Sequence, residues 1–579
     1  MSARKREKVS GSFICETAGQ DAENPIAQGK EMKFRDTERL PCDVLVIGGG
    51  GAGLRSAIEA REAGAEVILV SKSRVGHANN TYIAKAVIAS SGFGDPLDGS
   101  EVHLKDTVEG GRYLNDPDLV SLMAGDAREE ILFLERCGIV FAKKEGRFEV
   151  SYIAGHRYPR HVRGEHRTGS DLVLPLKRHA EKIGVRFADR VFVTRLLSSG
   201  NRIVGATGIS DDGRFLVFNA GAVILTTGGF GQAYLHTNNA AGITGDGHAL
   251  AFDLGVGLKD MEFVQFYPTA LGSLGSRLIL YEALVLDAGA ILRNASGEDI
   301  AVKHGLTNVM SLTRDRLSQA IMTEILEGRG VDGGVTMDLS AISSERLTPF
   351  RSLLPANWSP DEETLSVSPT THFCMGGVCI DRNAETSCSG LFAAGEVCAG
   401  MHGANRLGGN ALCEVFTMGG IAGKNAAGKA GAAGLPEVSE EEVALEKSRL
   451  ESFFCEDGEK PKSLRRSLKE NLWLKAGILR DQEGLADVLT GLENMKSARV
   501  ALKSMGDLIG FLEFKNMCLT AEMVCRAALL RTESRGSHYR KDYPEEDNDN
   551  WLRNIVFRKE DGAITWESVP VKAGPIAVK

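Results

Sequence analysis

Between residues 42 and 72 the chain reads CDVLVIGGGGAGLRSAIEAREAGAEVILVSK, and no other stretch restricts the fold as strongly. VLVI is apolar and β-branched, LRSAIEAREAG spaces its apolar residues as a helix does, and VILV is a second apolar run. Strand, glycine turn, helix and strand in this order predict a Rossmann-like α/β unit. Gly48, Gly50 and Gly53 fit GxGxxG, with Gly51 inside the turn. The first glycine permits a tight turn, the second lets backbone N–H groups approach a pyrophosphate, and the third lets helix and strand pack closely. The second strand ends in Ser71-Lys72, where a nicotinamide site has an acidic residue for the ribose. The expectation is therefore FAD.

A chain of 579 residues exceeds one hydrophobic core, so two to four domains are expected. Its 67 glycines gather in strings such as GGGGAG, TTGGFG and RLGGN, a pattern of close backbone approach to a ligand. A net charge of −9 argues against a nucleic-acid binder, which needs a concentrated basic face. No apolar run reaches the ~20 residues of a membrane helix, and MSARKREKVSGSF is not followed by a hydrophobic signal core. A cytoplasmic protein is expected, touching a membrane only through a partner. The eleven cysteines contain no CxxC and no Cys/His set at metal spacing, so they read as reduced thiols with no metal held by this chain.

Two further stretches leave alternatives open. In GITGDGHALAFDLG, Asp246 follows a glycine turn before a helix and either holds a ribose or caps the helix. In EFVQFYPTALG, Pro268 directs Tyr267 at an expected chain reversal, where its ring either packs or meets the substrate.

At GLFAAGEVCAGMHGANRLGGNALCEVFTMGGIAG the chain resembles the flavoprotein subunits of succinate dehydrogenase and fumarate reductase, with L-aspartate oxidase as a relative. TGDGHALAFDLGVGLKDMEFVQFYPT, TRDRLSQAIMTEI, THFCMGGV and RTESRGSHYRKDYPEEDNDNWL follow in that family's order, so the resemblance spans residues 41 to 570. It implies an FAD-binding domain of residues 41–259 and 374–435, interrupted by an α+β capping domain of 260–373. A polar extension of 1–40 precedes these, and a helical domain of 436–540 and a C-terminal segment of 541–579 follow. It also implies that Glu396 holds the flavin ribitol and that Asn410, Ala411 and Leu412 supply backbone contacts at the flavin ring.

Interconverting saturated and unsaturated carboxylates needs a hydride carrier, a proton-transfer group and cations for the carboxylate. By resemblance, Arg314 of TRDRLSQA transfers the proton with Glu282 as its relay, and His372 and Arg406 clamp one carboxylate. The family's distal histidine and threonine fall at Tyr267 and Tyr281, and the expected relay arginine at Leu284. The distal end is thus expected to have lost basic character, with both tyrosines as substrate contacts and a substrate other than plain succinate or fumarate. The histidine that bonds covalently to flavin in membrane-bound members aligns with Asn80, followed by Thr81, so FAD is expected to be noncovalent. The resemblance further implies a small carboxylate substrate and electron exchange with a separate iron–sulfur protein. The competing readings are an aspartate-oxidase-like flavin oxidase and an electron-transfer subunit with a degenerate site.

Overall fold

The structure, a computed structural model, describes residues 33–153, 155–272, 278–307, 312–354, 363–574 and 576. Most of the 1–40 extension therefore lies outside the described residues. Within Phe34–Lys579, the central sheet runs Arg186–Asp189, Val67–Ser71, Thr37–Ile47 and Phe215–Leu225, all parallel. The last of these strands divides its edge. Its Phe215–Asn219 half pairs antiparallel with Arg202–Ser210, and its Val223–Leu225 half pairs parallel with Leu391–Ala393. A segment distant in sequence is thus inserted beside the nucleotide-binding strands.

The strands Val67–Ser71 and Phe215–Leu225 are almost wholly apolar and buried, as the middle of a sheet covered on both faces requires. The helices Gly51–Glu62 and Asn410–Ala433 pack against each other. Glycines allow this closeness: a Cβ on Gly423 would lie 2.3 Å from the Ser56 carbonyl oxygen. The first strand starts at Thr37, inside the segment expected to be an irregular extension to residue 40. Its early residues, TERLP, are polar and largely exposed and pair only with Phe215–Asn219, so they lack the apolar signature of a central strand.

A second, antiparallel sheet is ordered Val264–Leu271, Thr364–Cys374, Val335–Asp338, Ile291–Arg293. Here the expected chain reversal at Tyr267-Pro268 does not occur. Both residues lie within the edge strand, where the pairing passes from Tyr267 opposite Thr370 to Ala270 opposite Ser368. That bulge on an edge strand accommodates a proline, which has no N–H for a ladder.

The expected helical periodicity near the C-terminus appears as Glu440–Glu451, Pro461–Lys475, Gln482–Ser497 and Met505–Leu530. The strand Arg553–Glu560 then pairs back onto Leu258–Lys259, and Ala563–Pro570 pairs with it as a hairpin. No helix among the described residues is long and apolar enough to cross a membrane.

Candidate active site

The parallel strands Thr37–Ile47, Val67–Ser71 and Phe215–Leu225 end at the wall of a cleft of about 980 Å³, lined by Gly48, Ser71, Lys72 and Thr226. This is where open α/β sheets bind ligands. Gly48 has φ +121°, and a Cβ there would lie 2.3 Å from the Thr226 carbonyl oxygen. Gly53 does not line the cleft. A Cβ on it would fall 1.9 Å from the Gly48 carbonyl oxygen, so its part is to let the helix approach the turn.

Two helix N-termini face this cleft. Gly51–Glu62 begins after Gly50, and Asn410–Ala433 begins after Gly409, and neither has a side-chain cap. Apart from the Gly51 N–H, which donates to Thr81 Oγ1, the first-turn N–H groups suit a pyrophosphate in one case and a negatively charged flavin ring in the other. Ala411 and Leu412 line the cleft. Asn410 does not reach it: its side chain bonds His103 Nε2 at 2.8 Å and donates to Thr107 Oγ1 at 2.9 Å. Behind the loop, the Nε2 atoms of His156 and His161 both contact the Gly408 carbonyl oxygen, at 2.9 and 3.0 Å.

Asp246 lines the cleft but does not cap its helix. It receives hydrogen bonds from Lys72 Nζ at 2.7 Å, Thr244 Oγ1 at 2.8 Å and Asn516 Nδ2 at 3.0 Å. Thr81 Oγ1 accepts from the Gly51 N–H at 3.2 Å and fixes the start of that helix. Asn80 donates to Glu396 Oε2 at 2.9 Å and to Asn239 Oδ1 at 2.7 Å, while its oxygen accepts from the Ala240 N–H at 2.9 Å.

Burial raises the Glu396 carboxyl to about 7, against the opposing donors Asn80 and the Cys374 N–H. The folded chain therefore holds that proton after the unfolded chain has released it, and stability falls as pH rises from about 4.5 to about 7. Buried Asp260, also raised to about 7, adds to this trend. Glu396→Gln removes one contribution. Between pH 5 and pH 8, the apoprotein melting temperature should fall less in the variant than in the parent, by ~2 °C or more. Equal falls would show that Glu396 is ionised throughout.

At the other end of the cleft stand Glu282, Arg314, His372 and Arg406. Arg314 opens the helix Arg314–Glu324 and places Nη2 and Nε at 2.5 and 3.0 Å from Glu282 Oε1. Burial disfavours both charges, but mutual attraction prevails: Arg314 is pushed up and Glu282 down. His372 Nδ1 is held by the Asn238 side chain at 3.1 Å. Burial, and then Arg406, Arg314 and Lys85, keep its ring neutral.

Arg406 is 5% exposed and has no carboxylate partner among the described residues. Its guanidinium lies 4.7 Å from the centre of the Phe373 ring, and Nε is buried without a hydrogen bond. Burial lowers its pKa to about 9. A buried cation without its counter-ion is a built receptor for an anion.

Gln265 was not singled out by sequence reasoning. Its Oε1 accepts from Arg406 Nη2 at 2.9 Å and from Arg314 Nη1 at 3.3 Å, so one amide ties the two guanidinium groups. An amide inside the apolar run FVQFY was the available signal.

Neither tyrosine lines the cleft. The Tyr267 hydroxyl donates to Glu282 Oε2, and the Tyr281 hydroxyl donates to the Leu312 carbonyl. Their rings meet edge to face at 6.1 Å within an apolar cluster that includes Leu284. The expectation that both contact substrate is thereby corrected: each phenol is used inside the wall, and Tyr267 acts on the site through Glu282.

A glycine-walled cleft at the strand ends, open to two helix N-termini and bordered by an arginine–glutamate pair, has the form of a dinucleotide-cofactor site with a charged pocket beside it. The FAD binding domain family matches residues 43–412, and the family described as fumarate reductase flavoprotein C-term matches residues 465–579. One subunit of the fumarate reductase (CoM/CoB) of Methanothermobacter marburgensis is 36% identical over 541 residues, covering 91% of this chain and 98% of that protein. The Mycobacterium tuberculosis fumarate reductase flavoprotein subunit is 34% identical over 570 residues, 91% of this chain and 97% of its own. Among solved structures, E. coli quinol fumarate reductase superposes with a TM-score of 0.87 at 30% identity, covering 94% of this chain and 98% of that one. The chain belongs to the fumarate reductase/succinate dehydrogenase flavoprotein family.

Proposed function

We propose that the protein exchanges a hydride between flavin N5 and a carbon–carbon bond adjoining a carboxylate, with Arg314 as the proton-transfer group. The observation that supports this best is Arg406, a buried guanidinium with no counter-ion, on the same wall as the Glu282–Arg314 pair. Bound in the cleft, FAD supplies the two-electron carrier. Arg406 and the neutral His372 hold one carboxylate, the first by charge and the second by hydrogen bonding. In the direction of reduction, hydride reaches one alkene carbon and Arg314 delivers a proton to the other. Glu282 steadies the guanidinium and relays the replacement proton. The attraction that pushes Arg314 up keeps it protonated until a strong acceptor forms beside it.

The second sheet, within residues 260–373, is proposed as the cap that keeps water from this chemistry, between FAD-domain segments 41–259 and 374–435. Residues 436–540 and 541–579 are proposed as the helical and C-terminal domains. Electrons would come from a separate iron–sulfur protein, which would also carry any membrane contact of a cytoplasmic complex. No group of three or more His, Cys, Asp or Glu suited to a metal ion occurs among the described residues.

The reading is tested by supplying the FAD-loaded protein with a reduced viologen dye and a panel of unsaturated acids. Oxidation of the dye that depends on the acid is expected. Rapid oxidation by oxygen alone would favour the oxidase reading. The Asn80 side chain is fully engaged with Glu396, Asn239 and Ala240, so it offers no site for a covalent bond. Acid precipitation is expected to release all flavin into the supernatant. Flavin that stays with the denatured chain would point to His77, which also lines the cleft.

A further inference from the structure

The cleft holds a further cation that no sequence motif announces. Lys85 lies in the connection between the short helix Asn80–Ile83 and the strand Val87–Ala89, and it lines the same cleft as Glu282, Arg314, His372 and Arg406. Its Nζ donates to the Ile279 carbonyl oxygen at 2.9 Å. Among the described residues no carboxylate pairs with it, whereas Lys72 has Asp246 at 2.7 Å and Glu513 at 2.8 Å. An ammonium carries three donors, and a single backbone carbonyl occupies one of them.

The local backbone holds this position firmly. Ala86, the next residue, is fully buried at φ +51°, a left-handed conformation that a non-glycine residue adopts at a cost. Its carbonyl accepts from the Gly164 N–H at 2.9 Å, and Ala86 leads directly into the strand. The chain therefore enters the strand at a fixed angle, with Lys85 one residue before the turn at Ala86.

Arg406, Arg314 and Lys85 bring three cationic side chains to this cleft, and Glu282 is the carboxylate hydrogen-bonded to one of them, Arg314. The exposed Arg167 and Asp287 line the same cleft. Burial, together with Arg314 and Arg167, disfavours charge on Lys85, while Glu282 supports it. Arg406 meets one carboxylate in the reading above. A second anionic group would meet Lys85, whose ammonium has a backbone carbonyl and no carboxylate as its partner among the described residues.

We infer that Lys85 is the specificity-determining residue for the second anionic group of the substrate, pairing its ammonium with the end of the molecule remote from Arg406. This rests on the reductase reading, and it replaces the expectation that the distal end has lost its basic character. The substrate class is then a short unsaturated dianion. Tyr267 and Tyr281 have no direct part in that choice, since their hydroxyls are taken by Glu282 and Leu312.

The test compares fumarate, a dianion, with crotonate, a monoanion of similar size, on the FAD-loaded parent, Lys85→Met and Lys85→Arg. Turnover is followed with a reduced viologen dye, and binding by the change that succinate or butyrate makes in the flavin absorbance. Lys85→Met should lower kcat/KM for fumarate by ~10²-fold, chiefly through KM, and should weaken succinate binding. Its crotonate kinetics should stay within about threefold of the parent, because crotonate has no second charge to lose. Lys85→Arg should recover most of the fumarate activity. Equal losses on both acids, or an unchanged fumarate-to-crotonate ratio in Lys85→Met, overturn the assignment of Lys85 while leaving the reductase reading intact. A parent protein that holds FAD yet neither turns over nor binds any of these acids overturns both. FAD content and melting temperature of each variant, matched to the parent, exclude misfolding as the cause of a loss.

Discussion

Replacing Arg314 by lysine is expected to lower turnover by at least ~10²-fold while FAD stays bound, the range that a general acid–base group contributes. Lysine keeps the charge but cannot reproduce the fork that puts Nη2 and Nε on Glu282 Oε1 while Nη1 reaches Gln265. The proton donor would move away from the reacting carbon, and the Tyr267 ring, 4.9 Å from the guanidinium, would lose its cation–π partner. Single-turnover oxidation of the reduced enzyme by substrate is the measurement that isolates this step. Arg314 is tied to Glu282 and Gln265, so flavin content is expected to match the parent. Near-normal turnover in Arg314→Lys would remove it from the mechanism.

The Arg406→Met variant is expected to lose ~10³-fold or more in kcat/KM. Truncating one member of a buried charge pair costs several kcal/mol, and here the other member is the substrate carboxylate itself. Loss of the guanidinium also frees Gln265, whose oxygen is shared between Arg406 and Arg314, so a fall in kcat should accompany the rise in KM. Because Arg406 is buried against Phe373 without a carboxylate, its removal should not destabilise the fold. The parent and Arg406→Met should therefore melt within a few degrees of each other. A variant that binds carboxylates as the parent does would place the anion elsewhere in the cleft.

The lysine and methionine substitutions separate two kinds of defect. Arg314→Lys should act mainly on kcat, since the substrate anion remains held by Arg406, whereas Arg406→Met should act on both constants. Lys85→Met, by contrast, should act on KM for the dianion alone.

Much of this protein could be read from the order of its amino acids. GxGxxG between an apolar run and a helical repeat specifies the strand–turn–helix, because the glycines meet steric limits set within a few residues. The 1.9 Å between a Gly53 Cβ and the Gly48 carbonyl oxygen is such a limit. Arg314, His372, Arg406 and Glu282 were likewise legible from their motifs, and the fold gathers them around one cleft. The directions of Tyr267, Gln265 and Lys85 were not legible, because they depend on contacts between distant segments. Gln265 meets Arg406 across 141 positions, and Lys85 meets Ile279 across 194. In the edge strand a bulge resets the side-chain alternation at Tyr267, and that register is set by pairing with Thr370. Local sequence controls local backbone. Which hydroxyl is used inside a wall, and which cation is left without a carboxylate in a cleft, is decided only when the walls close.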